Sequence, residues 1–313
     1  MTNVKQALLG MARQCWEQGL AAQAMLETGD EEMLVLMAHD CVVRQNPDGR
    51  LCDVESTPAL VDPAVCVEPV LAAGRITADP RYERAARRNV EFLLNKAPRT
   101  ADGARFHLIG DKEVWADSLG MGPHVLMLSG YIDEGLQFYR AVKRRLHDPA
   151  TGLFRHKWDE AAGEFSRAAF WGVGNGWALV GLMRAAGVLK ETKGEPLEFV
   201  VREFCALADS MIRVQRADGL FHDELDDPDS FPETECAEMF AYSLYNMVSW
   251  GLISKGYLKH ADVARSAVKG LVDERGYVRG CAGSPWFVKP GTSAETQAHF
   301  LMMERAAERS LDG

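Results

Sequence analysis

The chain has 313 residues, 47% of them hydrophobic, and a formal net charge of −10. That is enough apolar content for a large core, and the acidic balance argues against a nucleic-acid partner. No run approaches the roughly 18 apolar residues of a membrane span. The seven cysteines, an odd count with no Cys-x-x-Cys pair, point away from a disulfide framework or a zinc site and toward buried small hydrophobes in a cytoplasmic protein.

Taken in order, "MTNVKQALLGMARQCWEQGL" reads as an amphipathic helix and lacks the apolar stretch and cleavage site of a signal peptide. A polar turn with glycine, "NPDGRLCD", follows at Asn46. It recurs as "TADGARFHL" at Thr100, "PATGLFRHKWD" at Pro149, "RADGLFHDELDD" at Arg216 and "DERGYVRG" at Asp273. By subtraction, Gly49, Gly103, Gly152, Gly219 and Gly276 lie 54, 49, 67 and 57 residues apart, the spacing of stacked supersecondary units. Helices with one apolar stripe precede the turns, as in "PRYERAARRNVEFLLNK" (Pro80 to Lys96) and "GLQFYRAVKRRL" (Gly135 to Leu146). The segments after the turns, such as "DPAVCVEPVLAAG", "DSLGMGPHVLMLSG" and "NGWALVGLMRAAG", are apolar almost all round and read as helices buried on both sides. About six such pairs fit the length. The expected fold is all-α, an (α/α)6 barrel or six-hairpin toroid forming one domain over 1–313. An open α-solenoid is the alternative.

The inner-helix entrances hold the unusual polar groups. Asp62 stands before Pro63 and suits either an N-cap or chemistry. Asp117 lies between Trp115 and Met121, where desolvation is expected to raise its pKa as a general acid requires. His107, His156 and His222 hold equivalent places and are expected to line one cavity. Their spacing lacks the short pairs of a metal site, so no metal or cofactor is expected. In "FWGVGNGWALV" (Phe170 to Val180), Trp171 and Trp177 offer flat faces suited to a sugar ring, and the glycines allow a tight turn. A helix entrance packed by two core tryptophans reads equally well. Farther along, Thr234 and Glu235 suit capping of the next helix, with Glu233 open to chemistry. His124 reads as a satisfied core histidine and "DELDDPDS" as a solvated loop.

The segments "VWADSLGMG", "TGLFRHKWD", "FWGVGNGWALV", "QRADGLFHDELDDPDSFPETECAEMFAYSL" and "PGTSAETQAHFLMME" span nearly the whole chain. They resemble the unsaturated rhamnogalacturonyl hydrolases of glycoside hydrolase family 105 and, more distantly, the unsaturated glucuronyl hydrolases of family 88. The resemblance implies an (α/α)6 barrel and hydration of a C4=C5 enol ether in an unsaturated uronyl oligosaccharide. It makes Asp117 the acid/base and Asp62 its poising partner. His107, His156, Trp115, Met121, Trp171 and Trp177 become substrate-binding residues, the partner a small oligosaccharide, and the enzyme a monomer or homodimer without cofactor. Val173 stands where the family pattern has arginine, and Arg155 and Lys157 are candidates to replace that charge. The alternatives are an epimerase-like enzyme on the same barrel and a non-catalytic sugar-binding relative.

Overall fold

In the computed structural model, which describes residues 1–52, 58–192 and 194–311, the helices separate into two sets by burial. Helix α9 (Gly172–Leu189) is buried along most of its length, and α11 (Glu235–Ser249) from Glu235 to Val248. With α2 (Cys15–Thr28), α4 (Val67–Thr77), the short α6 (Ser118–Met121) and α7 (Pro123–Leu128), and α13 (Ala294–Leu311), they form an inner ring. Helix α13 packs on both α11 and α2. Helix α2 meets α4, α4 meets α7, and α6 and α7 meet α9, which returns to α11. Because the first and last inner helices touch, the ring is closed and the open solenoid is excluded.

The outer helices each cover an inner one. Helix α1 (Thr2–Met11) lies on α13, α3 (Glu31–Val43) on α2 and α4, and α5 (Pro80–Glu91) on α4. Helix α8 (Ile132–Leu146) lies on α7, α10 (Glu195–Val214) on α9 and α12 (Leu258–Lys269) on α11. Their sequences explain this placement. In α5, Tyr82, Ala85, Ala86, Asn89 and Val90 fall on one stripe and are buried, while Asp79 caps the start by accepting from Arg81 N.

Three boundaries differ from the periodicity. Phe92–Lys96 leaves the α-helix as a π turn. The N-terminal stretch splits into α1 and α2, because Glu17 accepts from Gln14 N at 2.8 Å and closes a capping box that starts a new helix. The chain also forms short strands after the turns: β1 (Glu113–Trp115), β2 (Lys157–Asp159) and β3 (Glu164–Arg167) in one antiparallel sheet, and β4 (Phe221–His222) with β5 (Pro232–Glu233) in a ribbon.

All five repeat glycines take positive φ, from 77° to 120°. Each abuts the outer helix of the next hairpin: Gly49 meets Arg88 of α5, Gly103 Gln137 of α8, Gly152 Ser210 of α10, Gly219 Val263 of α12 and Gly276 Asn3 of α1. The glycines of "GVGNGW" act differently. They lie inside α9, not in a turn, and permit close packing: a Cβ at Gly176 would stand 2.5 Å from Met239 Sδ. His124 is buried as expected, but its Nδ1 has no hydrogen-bond partner, and burial pushes its pKa down to about 3.

At Gly219 (φ 93°) a Cβ would also lie 2.6 Å from the Val263 carbonyl oxygen. Gly219→Ala should cost about 1–3 kcal/mol in urea unfolding. Gly10→Ala, in open space within α1, should be neutral or stabilising by up to about 1 kcal/mol. Equal effects would contradict the docking role of the turn.

Candidate active site

A cavity of about 620 Å³ opens at the inner-helix entrances. Asp62, His107, Trp115, Asp117, Met121, His156, Trp171 and Trp177 all line it. Asp62 begins the 3-10 turn Asp62–Cys66 that leads into α4, and the residue at its N-cap is Val61. Asp117 holds the N-cap position of α6, yet its side chain makes no capping bond. Neither aspartate is therefore spent on closing a helix end.

Each aspartate has a histidine beside it. His107 Nε2 lies 3.1 Å from Asp62 Oδ1, and His156 Nε2 lies 3.3 Å from Asp117 Oδ2. These approaches lack hydrogen-bond alignment, so Asp62 Oδ1, Asp117 Oδ2 and His156 Nε2 have no partner among the described residues. The far ring atoms are held. His107 Nδ1 sits 3.0 Å from Ser118 Oγ, and Arg167 Nη1 3.1 Å from His156 Nδ1. Trp115 stacks on His107 with centroids 4.3 Å apart and rings 14° from parallel. Trp171 stands 4.5 Å from His156 and donates its indole N–H to Asp223 at 2.9 Å.

The small sheet contributes a feature that helical periodicity does not reveal. Trp115 pairs with Lys157, and Lys157 with Arg167, so one cross-strand row carries an indole and two cations to the cavity. Lys157 Nζ sits 3.3 Å from the Trp115 ring centroid. Of the two cations expected to replace the charge at Val173, only Lys157 lines the cavity. Arg155 is held by Asp148 at 2.9 Å and lies over Phe170. Val173 itself is a buried part of the wall. His222 does not join the other histidines, because Arg216 and the Ser230 carbonyl hold its ring.

Part of the lining is acidic. Glu235 and Glu295 line the cavity, with Trp16 donating to Glu295 Oε1 at 2.7 Å and His299 Nδ1 3.2 Å from Glu235 Oε1. The roles read for Glu233 and Glu235 are reversed. Glu233 does the capping, accepting from the backbone N–H of Glu235, Cys236 and Ala282. Thr234 instead donates its hydroxyl to the Arg279 carbonyl. Trp16, Arg167, Glu235 and Glu295 were not legible as site residues. Nothing local in their segments marked them, and only the folded ring brings them together.

The charges depart from expectation in one respect. Burial pushes the Asp117 carboxyl up, but His156 and then His107 outweigh it and hold the pKa at about 2. Asp62 is the raised one, through burial opposed by His107 and helped by the charge of Asp117. Burial pushes Glu235 to about 8, and burial with the charges of Glu235 and Glu17 pushes Glu295 to about 8.

A carboxyl raised from 4.5 to about 8 binds more protons folded than unfolded, so its stabilisation is lost as pH rises through that interval. Buried His124 and His299, each pushed to about 3, act in the opposite sense but only below their ordinary value of 6.5. Between pH 6.5 and 8 the glutamates decide. The melting temperature should fall with rising pH there, and Glu295→Gln should flatten the fall. A rise across that window in the native chain would contradict the assignment.

Comparison with known proteins agrees with this architecture. The profile of glycosyl hydrolase family 88 matches residues 2–309. The chain is 28% identical over 283 residues to the unsaturated rhamnogalacturonyl hydrolase YesR of Bacillus subtilis (strain 168), covering 84% of this chain and 77% of that one. A possible family 105 member from Klebsiella pneumoniae superposes with a TM-score of 0.85 at 17% identity, over 99% of this chain and 92% of the other. Another from Salmonella enterica gives 0.82 at 19% identity, over 95% and 83%. These two likenesses bear on the fold alone. With the closed six-hairpin ring and a family match across nearly its whole length, the chain belongs to glycosyl hydrolase family 88.

Proposed function

We propose that this chain hydrolyses unsaturated uronyl oligosaccharides, the products of polysaccharide lyases, with rhamnogalacturonan-derived fragments as the leading substrates. The observation that carries the reading is the pair of buried aspartates. Each keeps an oxygen without a hydrogen-bond partner beside a histidine, in a cavity walled by Trp115, Trp171 and Trp177. The family and the name of the YesR relative support it.

In this reading Asp117 delivers a proton to C4 of the enol ether, and water adds at C5. The hemiketal opens and releases the neighbouring sugar. Asp117 rests ionised, so it must take up the proton as substrate binds. A uronate carboxylate entering the cavity adds a like charge and displaces water, and both effects raise the Asp117 pKa. Asp62, beside His107, poises the site, and the indoles hold the sugar faces. Lys157 receives the carboxylate from the sheet row, in place of a cation on α9, with Arg167 beside it held by Glu224 at 3.2 Å. The enzyme works as a monomer or homodimer. We place it in the cytoplasm, a reading that the absence of disulfides among the described residues supports. Among the described residues, no helix is long and apolar enough to cross a membrane.

Loss of the enol-ether ultraviolet absorbance on unsaturated disaccharides tests the reaction. Asp117→Asn should slow the decay about 100- to 10,000-fold. No decay with the native protein on any unsaturated uronate would sink the proposal. Lys157→Met should raise KM about 10- to 100-fold, as expected for one lost charge-assisted bond, with a smaller change in kcat. An unchanged KM would remove Lys157 from the carboxylate.

A further inference from the structure

Outside the cavity, three cysteines far apart in sequence converge. Cys41 comes from α3, Cys52 from the turn after Gly49, and Cys66 from the end of the 3-10 turn that begins at Asp62. All three are fully buried, and their sulfurs lie within 4.8 Å of one another. The backbone aims Cys52 at this point: its N–H donates to the Cys41 carbonyl at 3.0 Å, and its φ is 50°, a left-handed conformation uncommon for a residue with a Cβ. Gly19 of α2 lies against the same spot, where a Cβ would come 3.1 Å from Cys66 Sγ.

We propose that Cys41, Cys52 and Cys66 form a trigonal binding site for one Cu(I) ion. Three thiolates around an ion at about 2.3 Å set the sulfurs about 4 Å apart, within reach of small χ1 changes from the present arrangement. Among the described residues, no fourth histidine, cysteine or carboxylate joins the group. A buried three-sulfur set suits three-coordinate Cu(I) better than Zn(II), which takes four ligands. On binding, the three thiols release their protons to solvent, three S–Cu bonds form and no electron is transferred. Arg44 stands one turn beyond Cys41, with its Nη2 held by Asp40 and a buried Nε that has no hydrogen-bond partner. The ion would tie α3 to the turn that carries Asp62 at its other end.

The test is independent of hydrolase activity. Metal-free protein, kept anaerobic and reduced, is titrated with Cu(I) held by a chromogenic Cu(I) chelator. The expected result is one equivalent of copper transferred per chain, a thiolate-to-copper absorption band in the ultraviolet, and a higher melting temperature. Cys66→Ser and Cys41→Ser should each lose the equivalent, while Cys205→Ser, whose sulfur is not in the cluster, should keep it. Melting curves of the copper-free variants establish that they fold. Copper remaining with the chelator, or an equivalent retained in both folded cluster variants, would overturn the proposal.

Discussion

The structure depends on helix α13 packing between α11 and α2. The inner helices have little polar surface to offer water, so each needs apolar neighbours on both sides, and a row of such helices is satisfied only when its ends meet. That closing contact also builds one wall of the cavity. Trp16 of α2, Glu235 of α11 and Glu295 of α13 meet there. Thr296 joins them by donating to Glu235 at 3.2 Å. Ring closure and the acidic wall are thus one event. A change that loosened the α13 seam would disturb substrate binding as well as stability.

The site inherits an electrostatic imbalance from this construction. Asp62, Asp117, Asp223, Glu224, Glu235 and Glu295 all line the cavity, against Lys157 and Arg167. Six ionised carboxylates in so little water would repel one another strongly. Burial raises Asp62 and pushes Asp223 to about 6 and Glu235 and Glu295 to about 8, so near neutral pH the two glutamates hold their protons and relieve the repulsion. Asp117 stays ionised because two histidines face it. The cationic side chains that line the cavity are then confined to the sheet row.

The sequence was most informative where one residue type had one physical use. The five turn glycines all take the backbone angles that only glycine adopts freely, and from them the hairpin count and the ring follow. The eight residues read as site candidates all line one cavity, because helix entrances on a closed ring share one end. Long-range placement was less legible. His222 sits in the same local pattern as His107 and His156, but Arg216 stands close enough to hold it. Arg155 and Lys157 are two positions apart, so on an extended strand both face the same way. Yet Arg155 precedes β2 and turns back to Asp148, while only Lys157 is held in the sheet. The fall in the Asp117 pKa was illegible for a similar reason: burial can be guessed from neighbours in sequence, but His156, the histidine that lowers it most, is 39 positions away by subtraction.

Val173 gains a meaning from this arrangement. A cation on the first turn of α9 would add its charge beside Trp171, where Arg167 already lies 5.4 Å from the ring centroid. Two like charges in one desolvated corner would repel each other and cost stability before any ligand arrived. If Lys157 meets the carboxylate from β2, as proposed, the α9 position can be apolar, and the buried Val173 closes the wall. On the proposed reading, the anion is met from a sheet strand instead of from the helix.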